Sequence, residues 1–117
     1  MLKKNWVNLR VRKSTSKKYE VQIEKDGTAQ DITDWTIYMT VKESMEDSDA
    51  NAKINKKITS HSEPEAGKSL IKLTATDLNL TVGTYYYSVD YKDAEGSSGI
   101  LKEGQFVIQK PVRDTRD

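Results

Sequence analysis

The stretch Thr84-Tyr85-Tyr86-Tyr87-Ser88-Val89-Asp90-Tyr91-Lys92 decides how this chain folds. On an extended backbone, successive side chains point to opposite faces. Tyr85, Tyr87, Val89 and Tyr91 therefore share one face, and Tyr86, Ser88 and Asp90 share the other. Aromatic and β-branched residues at period two predict a half-buried strand over 84–92. A tyrosine packs by its ring and hydrogen-bonds by its hydroxyl, so an inward tyrosine stripe suits a thin core with wet rims.

The same alternation extends outward in both directions. Upstream, Trp35, Ile37, Met39 and Val41 alternate with Thr36, Tyr38, Thr40 and Lys42. Leu9 and Val11 alternate with Asn8, Arg10 and Arg12, and Tyr19, Val21 and Ile23 alternate with Lys18, Glu20, Gln22 and Glu24. Asp26-Gly27 marks a tight turn whose two central residues need positive φ. Ala52, Ile54 and Ile58 mark a further strand, and the pair Lys56-Lys57 predicts a bulge or bend in it. Ser69, Ile71 and Leu73 alternate with Leu70, Lys72 and Thr74. Residues 76–80 read as a single helical turn or a tight corner, with Thr76 capping it and Leu78 and Leu80 plugging the end of the core. Downstream, residues 93–99 read as a hairpin turn, Gly104 predicts a bulge or a close approach, and Phe106 and Ile108 point one way with Val107 the other. Trp35 stands where a core tryptophan often lies in such sandwiches.

The expected strands are thus about 5–12, 18–25, 35–43, 52–60, 68–74, 84–92 and 100–109. Seven short antiparallel strands with turn signals every 8–12 residues predict an all-β, two-sheet sandwich. A small barrel is the alternative. At 117 residues the chain is long enough for one domain with its own core, expected over 1–110, followed by a polar tail over 111–117.

Composition narrows the chemistry. There is no cysteine and a single histidine, so disulfides, thiolate metal sites, thiol nucleophiles and multi-histidine centres are excluded. His61, between two serines in a turn, is expected to be exposed and idle. Asp31 and Asp34 flank Ile32-Thr33; at a strand entry Asp34 is expected to accept backbone N–H groups rather than to do acid–base work. Glu46-Asp47-Ser48-Asp49-Ala50-Asn51 alternates oxygen ligands as part of a calcium loop does. It lacks glycine at the sixth position and a bidentate glutamate at the twelfth, where Lys57 falls, so a solvated loop is expected. No catalytic residue, metal or cofactor is expected, and the chain reads as a binding or assembly protein. With no apolar run approaching 18 residues and no signal-type N-terminus, a soluble product made in the cytosol is expected.

The formal net charge of +1 hides an asymmetry. Residues 1–18 carry seven basic side chains and no acid, and the remaining 99 residues are net −6. Lys3, Lys4, Trp6, Arg10 and Arg12 are therefore candidate contacts to an acidic neighbour. Tyr38, Lys42 and Tyr86, on faces opposite the inward stripes, are candidate interface residues of the sheet.

The order of these motifs resembles the small immunoglobulin-like domains of tailed-bacteriophage virion proteins, and is similar above all to the N-terminal domain of the baseplate upper protein family. The matching pieces are Leu9-Arg10-Val11-Arg12, Tyr19 to Gly27, and Gln30 to Lys42. They continue with the acidic loop and strand from Asp47 to Lys56, the step from Gly67 to Leu80, Gly83-Thr84-Tyr85-Tyr86-Tyr87-Ser88-Val89, and Leu101-Lys102-Glu103-Gly104-Gln105-Phe106-Val107-Ile108. Together they cover roughly residues 7–110. The resemblance implies an immunoglobulin-like antiparallel β-sandwich in the virion. It implies a structural, non-enzymatic role in the baseplate or tail, a fibre base, or head decoration. Other virion proteins are the expected partners, with self-association beside them, and neither nucleic acid nor membrane is expected. Baseplate members continue into a longer fibre or shoulder region and this chain stops at Asp117, so a stand-alone decoration or adaptor role is expected equally. A carbohydrate-binding adhesion module, using Tyr86 and the 46–51 loop, is the alternative.

Overall fold

The computed structural model describes residues 6–112. The candidates Lys3 and Lys4, and the end of the polar tail, lie outside the described residues. The fold is all-β and sandwich-like, with helix confined to two 3-10 turns among the described residues.

Among the described residues nine strands form in chain order: β1 (Leu9–Arg12), β2 (Lys17–Gln22), β3 (Glu24–Lys25), β4 (Thr28–Ala29), β5 (Thr36–Lys42), β6 (Ile54–Ile58), β7 (Lys68–Leu73), β8 (Gly83–Lys92) and β9 (Ser98–Gln109). Five of them make one sheet in the order β1-β9-β8-β5-β6, while β2 pairs with β7 and β3 with β4. The tyrosine stripe sits at the centre of the large sheet, with β8 between β5 and β9. Tyr85, Tyr87 and Val89 are buried as the alternation requires, together with Ile37, Met39 and Val41 of β5 and Phe106 and Ile108 of β9. Ile71 and Leu73 of β7 join them in one core, with Tyr19 and Val21 of β2 packed at its margin.

Several expectations change. The strands are not all antiparallel: β1 runs parallel to β9, pairing Leu9 with Phe106 and Arg12 with Gln109. The expected strand at 18–25 divides at Ile23, whose N–H donates to Gly67 O (2.8 Å) and whose carbonyl accepts from Gln30 N–H (2.9 Å). Beyond it the chain folds into the β3–β4 hairpin, where Asp26 (φ 55°) and Gly27 (φ 79°) both take positive φ, as the Asp-Gly signal requires.

No bulge occurs at Lys56-Lys57; β6 pairs with β5 in unbroken register from Ile54 to Ile58. Lys56 takes an inward-facing slot because its ammonium reaches the Asp77 carboxylate at 2.8 Å. Burial alone raises the Asp77 pKa, but bonds from Lys56 and Thr74 outweigh it, and the carboxyl ends below its ordinary value. Asp77 also caps the corner after β7: Thr74 N–H donates to its carboxylate and Asp77 N–H donates to the Thr74 hydroxyl. The cap is therefore Thr74 rather than Thr76, a reciprocal arrangement of the capping-box kind. Leu78 is fully buried and Leu80 partly, as the plug requires. Gly104 is a close approach and not a bulge. The register shift in the β8–β9 pairing falls instead between Val89 and Asp90, opposite Leu101.

His61 is half-buried and bonded at both ring nitrogens, contrary to the expectation of an idle side chain. Its Nε2 lies 2.8 Å from Trp35 O and its Nδ1 2.9 Å from the Ser69 hydroxyl. A carbonyl only accepts, so Nε2 carries the hydrogen and Nδ1 accepts from Ser69. The pair ties the β6–β7 connection to the start of β5 and satisfies a hydroxyl with no exposure to solvent. Replacing His61 with Ala is expected to cost about 1–3 kcal/mol, the range for an orphaned buried polar group. Combining His61→Ala with Ser69→Ala should recover part of that loss in urea unfolding.

Trp35 is only half-buried and lies just before β5, stacked on Tyr91 with ring centroids 4.9 Å apart. It closes one end of the sandwich instead of filling its centre.

Candidate functional site

Cross-strand pairing decides which outward side chains meet. Asn55 of β6 sits opposite Thr40 of β5, Thr40 opposite Ser88 of β8, and Ser88 opposite Glu103 of β9. Residues directly paired across strands share a face. On one side of this row Lys42 pairs with Tyr86 and Tyr86 with Gln105; on the other, Tyr38 pairs with Asp90. On the β1 side Arg10 pairs with Val107 and Arg12 with Gln109, so both arginines belong to the same outer face.

The outer face of the large sheet is therefore where the sequence candidates gather. Trp6, Tyr38, Lys42 and Tyr86 line a single open groove of about 570 Å³ across it. Tyr38 and Tyr86 stand four residue positions apart along the strands, about 14 Å at the usual rise. Thr40 and Ser88 form the floor between them. Trp6 is held over the β9 side by a parallel bridge to Glu103. Met45, a large exposed apolar residue missed by the sequence reading, borders the other side.

Two candidates do different work from that expected. Lys42 donates to Asp47 O at 2.8 Å and pairs with Asp49 at 2.8 Å, pinning the acidic loop to β5. Arg12 donates from Nη1 to Lys110 O at 2.9 Å, fixing the chain that leaves β9. In the loop, the second oxygen of Asp47 accepts from Ser44 N–H. Asp47 O, Asp47 Oδ2 and Asp49 Oδ1 are thus turned to protein donors, and among the described residues no group of three or more His, Asp or Glu is placed to hold a metal ion. At the β5 entry it is Asp31, not Asp34, that accepts from the N–H and hydroxyl of Thr33. Those bonds hold its pKa below the ordinary carboxylate value.

The groove is built on a rigid underside. Tyr87 directs its hydroxyl to Val7 O at 2.6 Å, and Tyr85 directs its own to Thr81 O at 2.7 Å. Burial, with a smaller contribution from Tyr19, pushes the Tyr87 phenol up to about 12. Burial also raises Tyr19 and Tyr85, the latter helped by the Glu43 carboxylate and opposed by its bond to Thr81. Unfolded tyrosines ionise near pH 10, about two units below folded Tyr87. Below that pH both states hold their protons and the stabilisation is complete; as pH climbs from about 10 towards 12 the unfolded chain ionises first and stability falls. Urea midpoints measured up to about pH 11 should show that decline, and Tyr87→Phe should make it shallower.

The sheet's free edges offer less than its face. β6 has only five residues and carries Lys56 and Lys57, and short, lysine-bearing edges resist strand addition.

No protein-family model matches the chain, and a search of the curated proteins finds no match.

Proposed function

We propose that this chain is a non-enzymatic structural module of a tailed-phage virion, an immunoglobulin-like sandwich that works by protein–protein assembly. The single observation that carries the assembly reading is the outer face of the large sheet, where Trp6, Tyr38 and Tyr86 border one groove beside polar side chains. Interfaces are enriched in aromatic residues and arginine, with polar rims. Such a face anchors a partner by a few aromatic side chains, with Arg10 and Arg12 along its β1 side.

The immunoglobulin-like assignment is supported by strand order. The run β9-β8-β5-β6 corresponds to the G-F-C sheet extended by one further strand, and β2–β7 corresponds to strands of the opposing sheet. At the start of β8 the Tyr85 hydroxyl bonds back to Thr81 O, the arrangement known as a tyrosine corner. Tyr87, two residues on, stands where antibody domains place a disulfide cysteine.

The test is a photo-activated cross-linker at position 38 or 86 in particles that incorporate the protein, with mass spectrometry of the adducts. Cross-links to another virion subunit from these positions, and none from Glu20 on the opposite sheet, are expected. A chain missing from purified particles overturns the reading. The second reading, a carbohydrate-binding module, is favoured by the same aromatics flanking Asn55, Asp90 and Glu103. Binding to a glycan array that disappears in Tyr86→Ala would establish it; silence would remove it.

A further inference from the structure

The strand connections alternate between the two ends of the sandwich; one end is acidic, and the other carries a basic corner. At one end lie residues 23–35, 59–67 and 93–97, the first two tied together by Ile23 N–H to Gly67 O and Ile32 N–H to Pro64 O. The first of these connections contributes Glu24, Asp26, Asp31 and Asp34 against Lys25 alone. The second contributes Glu63 and Glu65, and the third Asp93 and Glu95. Among the described residues, Lys68 and Lys92 at adjoining strand ends add positive charge, and Lys68 already lies 3.6 Å from Glu63.

At the other end, the corner where β1 turns into β2 is basic. It presents Arg12, Lys13, Lys17 and Lys18, with Lys72 from β7 and Lys110 after β9. Lys18 and Lys72 are directly paired across β2 and β7. Like charges in that position repel, and an anionic neighbour relieves the repulsion. Asp77, at the same corner, is occupied by Lys56, and Glu20 stands diagonal to Lys72 on the same face. The acidic β5–β6 connection reaches this end on the opposite flank, where Asp49 is paired with Lys42.

The two poles act separately. β2 links them over six residues, about 20 Å at the strand rise. That is more than twice the screening length of about 8 Å at physiological salt, so neither pole neutralises the other within one molecule. The acidic pole is also concave. Glu24, Asp31, Asp93 and Glu95 rim a groove of about 720 Å³ whose wall includes the stacked Trp35 and Tyr91. Carboxylates around aromatic faces suit ammonium and guanidinium groups, by ion pairing and by cation–π attraction.

We infer that the acidic groove at the 93–97 end receives the basic β1–β2 corner of a second copy of this chain, so that copies associate head to tail. The contact is heterologous: donor and acceptor surfaces are different, and repetition gives a ring or an open row. This rests on the assembly reading above and names one partner within it; the outer sheet face stays free for a different subunit.

Sedimentation velocity over a concentration series tests it on the full chain. In low salt the wild type should associate, and the association should disappear in high salt. Lys17→Glu with Lys18→Glu makes both ends acidic, and Glu24→Lys with Glu95→Lys makes the groove basic. Each double variant should associate at least about tenfold more weakly than wild type. An equimolar mixture of the two should associate again, because each supplies the charge the other lost. Circular dichroism of each variant checks that it is folded. A wild type monomeric at all concentrations in low salt, or a mixture that stays monomeric, overturns the inference. Self-association that persists in both double variants but is lost in Tyr86→Arg also overturns it, while leaving assembly through the sheet face standing.

Discussion

Gly67→Ala is expected to lower stability by about 2–5 kcal/mol, the sum of two penalties with separate origins. Gly67 has φ 73°. An L-residue in the left-handed region costs about 1–2 kcal/mol. The added methyl would also press on the Ile23 carbonyl oxygen and stand 2.7 Å from Gln30 O. Both obstacles are backbone, and neither can rotate away as a side chain would. Overpacking of this kind adds about 1–3 kcal/mol. The carbonyls cannot simply withdraw, since Gly67 O accepts from Ile23 N–H and Ile23 O accepts from Gln30 N–H. Relief of the clash therefore breaks the bonds that hold the β3–β4 hairpin against the β6–β7 connection. Thermal unfolding should show a midpoint lower by about 8–20 °C, at about 4 °C per kcal/mol for a domain of this size. Gly27→Ala provides the contrast. It also has positive φ (79°), but nothing lies within 4 Å of an added methyl, so only the conformational penalty applies. Equal losses at the two positions would refute the steric part of the argument.

What the chain declares locally, and what it leaves to tertiary contacts, separates along physical lines. Period two is a property of the backbone, so the inward sets Ile37-Met39-Val41, Ser69-Ile71-Leu73 and Tyr85-Tyr87-Val89 were legible from spacing alone. For the same reason Tyr38 and Tyr86 were correctly assigned to the outer face. That they border one groove with Trp6 depends on β5 and β8 being neighbours and on the register between them, which no local pattern encodes. Strand direction is equally silent in Leu9-Arg10-Val11-Arg12. Those four residues are satisfied by either orientation, and the pairing with β9 is the parallel one. The failures involve polar residues whose partner lies far along the chain. Lys56 looks like a break in a strand until Asp77 is found beside it. His61 looks idle until Ser69 and Trp35 O close on its two nitrogens. The charge asymmetry was visible as a basic first segment, yet its sharper form, an acidic end opposite a basic corner, needs the alternation of the connections.

Gly104→Ala should have the second large effect, and its signature is the loss of a coupling. Gly104 is buried in β9, and a methyl there would meet the Val7 carbonyl oxygen and lie 2.7 Å from its carbon. The segment it would displace is fastened by Val7 N–H to Glu103 O at 2.8 Å, and by Gln105 N–H to the Asn8 side-chain oxygen at 3.0 Å. The same Val7 carbonyl accepts the Tyr87 hydroxyl, so moving it orphans a phenol in the core. Steric relief and the unpaired hydroxyl together should cost about 2–6 kcal/mol. In the wild type, Tyr87→Phe removes one hydrogen bond, worth about 1 kcal/mol. In the Gly104→Ala background that bond is already gone, so the same change should cost nothing or stabilise. A double-mutant cycle built from urea unfolding reads this as a coupling of about 1 kcal/mol between positions 87 and 104. Additivity would mean that Val7 stays in place and that Gly104 matters only for its own strand. Displacement of Val7 also takes Trp6 from the edge of the groove. Gly104→Ala should therefore weaken docking at the outer sheet face while leaving Tyr38 and Tyr86 on their strands. Cross-linking from positions 38 and 86 in the Gly104→Ala background separates these outcomes: reduced yield with the protein still folded is expected, and an unchanged yield would show that Trp6 is not part of the contact.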